Sequence, residues 1–484
     1  MRIALGSLAA LALATALRAG GAPPPENTCP RLQGQRPGAA AAEDAMPIVL
    51  QEGMALGIDQ LILLRDLLPE ELWRFREVFF FEGMRMEIGP CHRRYPVPAF
   101  FAEATRNLAP RVELDDEGNL HGYVAGLPFP PDAIDPSAPD AGLRWAWNLQ
   151  QRYRGFGPVG EFRLVDLPSR IGSVETYLGD FFYAQTGHRA DLAATGYSVP
   201  ERKDASFVAG GSFDEPFNAR HLAWRQLRSE KAQRDWDEAD DTFVYVPTMR
   251  KMRRSATSWI DGLFTPRYTV AGESGGGPVP FGTGGQYGAL ESIQPTAGIN
   301  IAATEDIRRG FTGLVIRPNA WRWKWVGERE VIAPLNSVRP AYPTSPDRNF
   351  GPSGLSVADD RWEVRWAAVI EGVPRKPVDD AARVTLWIDQ QTQQPLYWIS
   401  RRANGLLLEV GIQVHRFSGD LPDYPTWPDA GGPAYVFDPV GAAFYWVPGG
   451  AGWRRESWGV RSVPVDPDKM RELMAIDVLE RRGH

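Results

Sequence analysis

Apolar residues follow two different patterns along the chain, one near its start and another through its body. From about Phe162 onward they recur in short runs, often at period two, bounded by turn residues, as half-buried strands require. Asp241–Val246 ends at Pro247, and Trp362–Trp366 alternates. Arg383–Ile388 runs into the polar stretch Asp389–Gln394, after which Pro395–Ile399 resumes. Two apolar runs flanking so short a turn predict a hairpin, and Leu406–Val414 supplies a third strand. These segments together predict an antiparallel meander.

The first part of the chain reads as mostly helical. Leu61, Leu64, Leu67 and Leu68 share one face. Pro69 then restarts a helix with Glu70 and Glu71 in its first turn, where carboxylates complement the helix dipole. Pro98 opens another, with Phe101, Ala104, Thr105 and Leu108 at helical spacing, and Met84–Ile88 reads as a short strand. Pro128, Pro130, Pro131, Pro136 and Pro139 mark a long loop. It divides an N-terminal region, residues 46–160, from a main body, residues 161–484. Asp466 and Pro467 predict the start of a last helix, whose apolar face carries Met470, Leu473, Met474 and Leu479. No repeat of fixed period is present.

The opening residues predict a compartment. Arg2 precedes an apolar run, Ile3–Leu17, and small residues follow, with Ala14-Thr15-Ala16 and Gly20-Gly21-Ala22 as candidate cleavage sites. This order predicts a secretory signal peptide over residues 1–22, with a retained N-terminal anchor as the alternative. The run is shorter than the ~20 residues a bilayer demands, so no stable membrane insertion is expected. Cys29 follows Glu26-Asn27-Thr28, a poor context for lipid attachment. Residues 23–45, rich in Pro, Gly and Ala, read as a flexible leader. The expected location is the periplasm.

Composition narrows the choice of fold and partner. The 484 residues include 49 Gly and 42 Pro, which favours many strands joined by turns over a helical bundle. Loss of residues 1–22, whose charges are Arg2 and Arg18, takes the net charge from −7 to −9. An acidic chain without a long basic tract is not built for nucleic acid.

Tryptophan is the informative residue, with 17 copies. Trp321, Trp323 and Trp325 point to one side of a predicted strand while Arg322 and Lys324 point to the other; Trp362 and Trp366 repeat the pattern. Each indole buries about 150–250 Å² and keeps one N–H that needs a partner. A sheet face so furnished is either a core of large residues or the wall of an apolar cavity. These five tryptophans are therefore the candidate ligand-binding residues. Cys29 and Cys91 form a disulfide in an oxidising compartment, or else Cys91 stays free beside a disordered start.

Several stretches carry a family resemblance. Arg76–Gly83, Gly122–Phe129, Arg234–Asp237, Thr242–Arg254, and Arg383–Asp389 through Pro395–Tyr397 resemble the domain-of-unknown-function family 1329. The resemblance covers roughly residues 46–430. It implies a mainly β (α+β) fold similar to the LolA and LppX carriers: a strongly curved antiparallel sheet forming an unclosed half-barrel. Helices would cover its concave face, with an N-terminal helical and irregular extension. In such relatives the concavity holds acyl chains or other lipids, and members are often labelled outer-membrane lipoprotein-sorting proteins.

Carrying an acyl chain through water exposes about 0.8 kcal/mol per CH₂, which an apolar half-barrel removes. The expected function is binding and carriage of a hydrophobic, lipid-like small molecule, with an envelope transporter as the candidate partner. Arg250, Lys251, Arg253 and Arg254 are the candidate docking residues for such a partner; the alternative is charge that protects a sheet edge. A non-transporting sensor or scaffold is the second reading, an envelope hydrolase the third.

Catalysis finds little support in the residues. Gly272-Glu-Ser-Gly-Gly276 matches a nucleophile elbow in letters. Pro278, Pro280, Gly282, Gly284 and Gly285 follow where that motif needs a helix, so Ser274 reads as part of a flexible loop. The acidic run Asp235, Asp237, Glu238, Asp240 and Asp241 lacks the spacing of a calcium loop and reads as a solvated turn. His92, His121, His188, His221, His415 and His484 are scattered without metal-ligand spacing. No catalytic residue, metal or cofactor is expected.

Overall fold

The computed structural model describes residues 24–32, 48–155, 157–167, 174–192, 204–216, 220–238, 240–246, 250–255, 268–270, 299–301, 316–338, 348–376, 382–424, 434–447, 452–462, 467–475 and 477–479. The predicted signal peptide, most of the leader and Ser274 lie outside these residues.

The helical entry takes a tighter form than the sequence predicts. Ile58–Leu67 is a 3₁₀ helix, in which Leu61, Leu64 and Leu67 fall on one line and are all buried. Three-residue spacing suits three residues per turn, so these leucines pack without the 3.6-residue period. Short strands Ala55–Leu56 (β1) and Met86–Ile88 (β2) flank this helix and two others, Glu70–Arg74 (α1) and Arg76–Phe79 (α2). Ala99–Leu108 (α3) starts after Pro98. Ala141–Gln151 (α4) follows the proline-rich loop.

Two meanders make the body. The first comprises Pro158–Leu167 (β3), Glu175–Gln185 (β4), Ala205–Glu215 (β5), Ala223–Ser229 (β6), Asp241–Val246 (β7) and Lys251–Ser255 (β8). The second comprises Trp321–Ala333 (β9), Arg361–Pro374 (β10), Arg383–Asp389 (β11) and Pro395–Arg401 (β12). It continues through Leu407–Phe417 (β13), Phe437–Trp446 (β14) and Gly452–Ser462 (β15). Neighbours within each meander pair antiparallel, and β15 pairs β3 to join the two into one unclosed, curved sheet. The predicted hairpin is β11–β12, with Trp387 opposite Tyr397. One pairing departs from the antiparallel expectation: β2 lies parallel to the start of β10, Arg361 opposite Glu87, which makes the sheet mixed.

Period two places alternate side chains of this sheet in different layers. Val384, Leu386 and Ile388 of β11 belong to the cluster packed with α4, whereas Trp387 belongs to the cluster packed with residues 56–95. The same division separates Trp398 from Tyr397 on β12, and Phe444 from Tyr445 on β14. The second meander is therefore covered on both faces. Cys29 and Cys91 are joined by a disulfide, which ties the start of the described chain to the segment after β2. Pro467–Met474 (α5) buries Met470, Leu473 and Met474 against Phe182, Val208 and Leu227. Among the described residues no helix is long and apolar enough to cross a membrane.

Candidate functional site

α4 is the element on which the site is built. Its residues Trp145, Ala146, Trp147 and Leu149 are buried in one cluster with Trp321, Trp323, Ile370, Leu386, Trp398 and Phe444 from the sheet. The helix sits tight on β9: a Cβ added at Gly142 would lie 2.5 Å from the Lys324 carbonyl carbon, so only glycine allows this approach. Asp140 pairs with Arg144 one turn later at 2.8 Å, and Asn148 exchanges hydrogen bonds with the backbone of Phe129. Those bonds satisfy a buried amide that would otherwise oppose packing.

The candidate tryptophans divide into separate environments. Trp321 and Trp323 are buried side by side, with ring centroids 5.7 Å apart. The Trp323 N–H donates to the Pro318 carbonyl at 2.9 Å, and the ring lies over Gly372 of β10, where a Cβ would come within 2.6 Å of it. Trp325 is half-buried and stacks on Trp145. Trp362, by contrast, is buried in the other layer against Phe80, its N–H donating to Val357. Trp366 is half-buried and donates to the Glu328 carboxylate at 2.6 Å. Trp321, Trp323 and Trp325 thus meet beneath α4, while Trp362 belongs to another layer.

The remaining sequence candidates fall elsewhere. Arg250 precedes β8, and Lys251, Arg253 and Arg254 lie on it, at one end of the sheet. Arg254 is exposed and pairs with Asp241 of β7 across the strands. The acidic run is not solvated throughout. Asp240 is buried, and Arg228 of β6 reaches its carboxylate with Nε and Nη2 at 3.0 Å, because the run leads straight into the strand beside Arg228. Burial alone would raise the Asp240 carboxyl, but Arg228 and Arg317 outweigh it and hold it below the ordinary carboxylate range.

A second set of residues, none singled out by sequence, lies where α4 ends. Arg154, Arg228 and Arg317 are all buried around a cavity of about 20 Å³, together with His188, Gln185 and Trp147. The His188 ring is held between the Val124 carbonyl (Nδ1, 2.9 Å) and the Glu230 carboxylate (Nε2, 2.7 Å). Arg154 bonds the Gln150 carbonyl and lies over the Tyr183 ring. Nearby, burial and then repulsion from Arg154 lower the basicity of Arg152. Burial, followed by Arg152, pushes the His415 imidazole down to about 3, so it is neutral. Arginine reads from sequence as a surface residue, and these three are far apart in the chain. The usable signal was their place inside apolar strands or beside them, as in Ala223-Trp-Arg-Gln-Leu-Arg228. Among the described residues, no group of three or more His, Cys, Asp or Glu is placed to hold a metal ion.

Comparison with known proteins gives a family and distant folds. No curated protein matches the chain. A domain provisionally assigned as outer membrane lipoprotein-sorting, from Vibrio parahaemolyticus, superposes with a TM-score of 0.39 at 13% identity, covering 71% of this chain and 100% of that one. A DUF1329 family protein from Desulfovibrio piger gives 0.40 at 14%, covering 71% and 99%. A LolA superfamily protein from Nitrosomonas europaea gives 0.31 at 11%, covering 69% and 96%. Superpositions this loose carry no functional weight. The family model for the protein of unknown function DUF1329 matches residues 65–268 and 293–432, most of the chain, and the protein belongs to that family.

Proposed function

We propose that this protein is a periplasmic carrier for a hydrophobic, lipid-like ligand, and that the ligand's apolar part takes the place of α4 on the aromatic face of the sheet. The observation that carries this reading is the aromatic layer under α4, where Trp145 and Trp147 of the helix cover Trp321 and Trp323 of the sheet. A short helix on an unclosed sheet is a replaceable cover. An acyl chain that takes its place recovers about 0.8 kcal/mol per buried CH₂, which offsets the helix contacts it displaces. Such exchange needs no preformed void. Handover to an envelope transporter would follow from the same exchange, with the basic residues around β8 as the docking surface.

The test is native mass spectrometry of the protein isolated, without detergent, from the periplasm of its own organism. The expected result is a chain lacking residues 1 to about 22 with a stoichiometric extractable lipid. A ligand-free chain that also takes up no lipid class offered to it would refute carriage and leave the sensor or scaffold reading in its place. Retention of Met1, or a chain that stays with membranes after a carbonate wash, would refute the location.

A further inference from the structure

We infer that His415 is the head-group site of the carried ligand, and that this head is uncharged and bears a hydroxyl. The imidazole is 1% exposed, and among the described residues neither ring nitrogen has a hydrogen-bond partner. The backbone of the same residue is paired on both sides. Its N–H donates to the Pro334 carbonyl at 3.1 Å, and its carbonyl accepts from the Ser337 N–H at 2.7 Å. A buried polar group left unbonded costs its desolvation with nothing regained. The unpaired ring is a weakness of the covered state that a ligand can relieve.

The ring lies toward the C-terminal end of α4. On β13, Val410, Ile412 and Val414 pack into the layer of residues 56–95, so Glu409, Gln413 and His415 turn to the α4 side. Glu409 fixes the direction: it accepts at 2.7 Å from the N–H of Trp398, a member of the aromatic layer. Arg152, which closes α4, is the charged group that acts on the imidazole. Arg152 is itself engaged, its Nε with Gln394 at 2.9 Å and its Nη1 with the Leu149 carbonyl.

The state of the ring selects the head. Burial, the larger cause, and then Arg152 keep the imidazole neutral, so it offers one N–H, one lone pair and no charge. A hydroxyl both donates and accepts, and it can complete either nitrogen. A carboxylate or phosphate would give up its hydration to a ring that returns no charge. This assignment rests on the carrier reading: a tail that takes the place of α4 brings its head to where the last turn of the helix lies. Arg152 belongs to the end of that cover and moves away with it. The covered state leaves His415 unbonded and the loaded state bonds it, which is the differential interaction that displacement of the cover requires.

Equilibrium dialysis of the full mature chain with decanol, 1-chlorodecane and laurate, well above the carboxylate range of pH, tests the site. The chloride matches the alcohol in length and lacks its hydroxyl. His415→Phe should cut the preference for decanol over 1-chlorodecane about fivefold or more, in keeping with one lost hydrogen bond. Laurate, ionised under these conditions, should bind both proteins alike. Imidazole nitrogen NMR of the wild type keeps the test decisive if the variant fails to fold. There, decanol should move one ring nitrogen of His415 further than 1-chlorodecane does. An unchanged decanol preference in His415→Phe, or equal nitrogen shifts with the two ligands, would overturn the head-group site and leave the carrier reading standing. Laurate that binds more weakly to His415→Phe would put a charged head at the ring and overturn the hydroxyl assignment. Binding of none of the three would overturn both readings.

Discussion

Trp145 of α4 stacks on Trp325 of β9, with ring centroids 6.1 Å apart and planes within 20°. The contact joins α4 to the edge strand of the second meander, at the rim of the aromatic layer. Offset stacking of this kind contributes about 0.5–1.5 kcal/mol beyond area burial. That is strong enough to hold a cover in place and weak enough for a ligand to displace it.

Trp323 lies deeper in the same layer, buried and bonded to Pro318. Trp323→Ala is expected to destabilise the protein by about 3–5 kcal/mol and to weaken laurate binding. Trp366→Ala removes a half-buried ring in another environment and should cost less, with laurate affinity unchanged. Urea unfolding beside a fluorescence titration separates the effects. A Trp323→Ala protein that is less stable yet binds laurate normally would return this indole to packing alone.

The strands were legible because their pattern is local. β11 and β12 follow from Val384, Leu386 and Ile388, then Leu396 to Ile399, flanking one polar turn. The alternation of Trp321, Trp323 and Trp325 with Arg322 and Lys324 was readable in the same way. α4 was not. Nine of its 11 residues are buried, including Asn148, Gln150 and Gln151, so its polar positions do not mark a solvent-facing side as they do on a surface helix. The arginine-lined cavity was equally hidden, since its lining comes from five separate stretches and its three arginines are far apart in the chain. Asp240 was misread for a related reason: a carboxylate in an acidic run looks solvated until a neighbouring strand supplies Arg228.

Asp438 gives a pH signature. Its carboxylate is buried, accepts from the Tyr424 hydroxyl at 2.7 Å and from Ser462, and burial pushes it up to about 6. The folded state then holds a proton that the unfolded chain releases near pH 4, so stability is greatest below that point and falls as pH rises toward 6. The loss from this group is about 3 kcal/mol. Glu363 and Glu456 are also raised by burial and act in the same direction. The difference between wild type and Asp438→Asn isolates the one group. Urea midpoints measured from pH 4 to 7 should fall less steeply in the variant; equal slopes would show that Asp438 does not titrate in this range.

The disulfide Cys29–Cys91 spans 62 residues. Closing such a loop in the unfolded chain stabilises the fold by about 4 kcal/mol in the chain-entropy model. Non-reducing peptide mapping should find the linked pair and no free thiol, and Cys29→Ser with Cys91→Ser should lower stability by up to that amount. Laurate binding should survive, because the pair lies in the N-terminal segment that packs on the other face of the sheet. Two alkylatable thiols in the native protein would contradict the bond.

Hydrogen–deuterium exchange across residues 141–151, with and without bound laurate, tests the central claim most directly. If lipid lies where α4 lies, the amides of this helix should lose protection on loading while β11 and β12 keep theirs. Laurate that binds with α4 protection unchanged or increased would contradict displacement of the cover and move the lipid away from the aromatic layer.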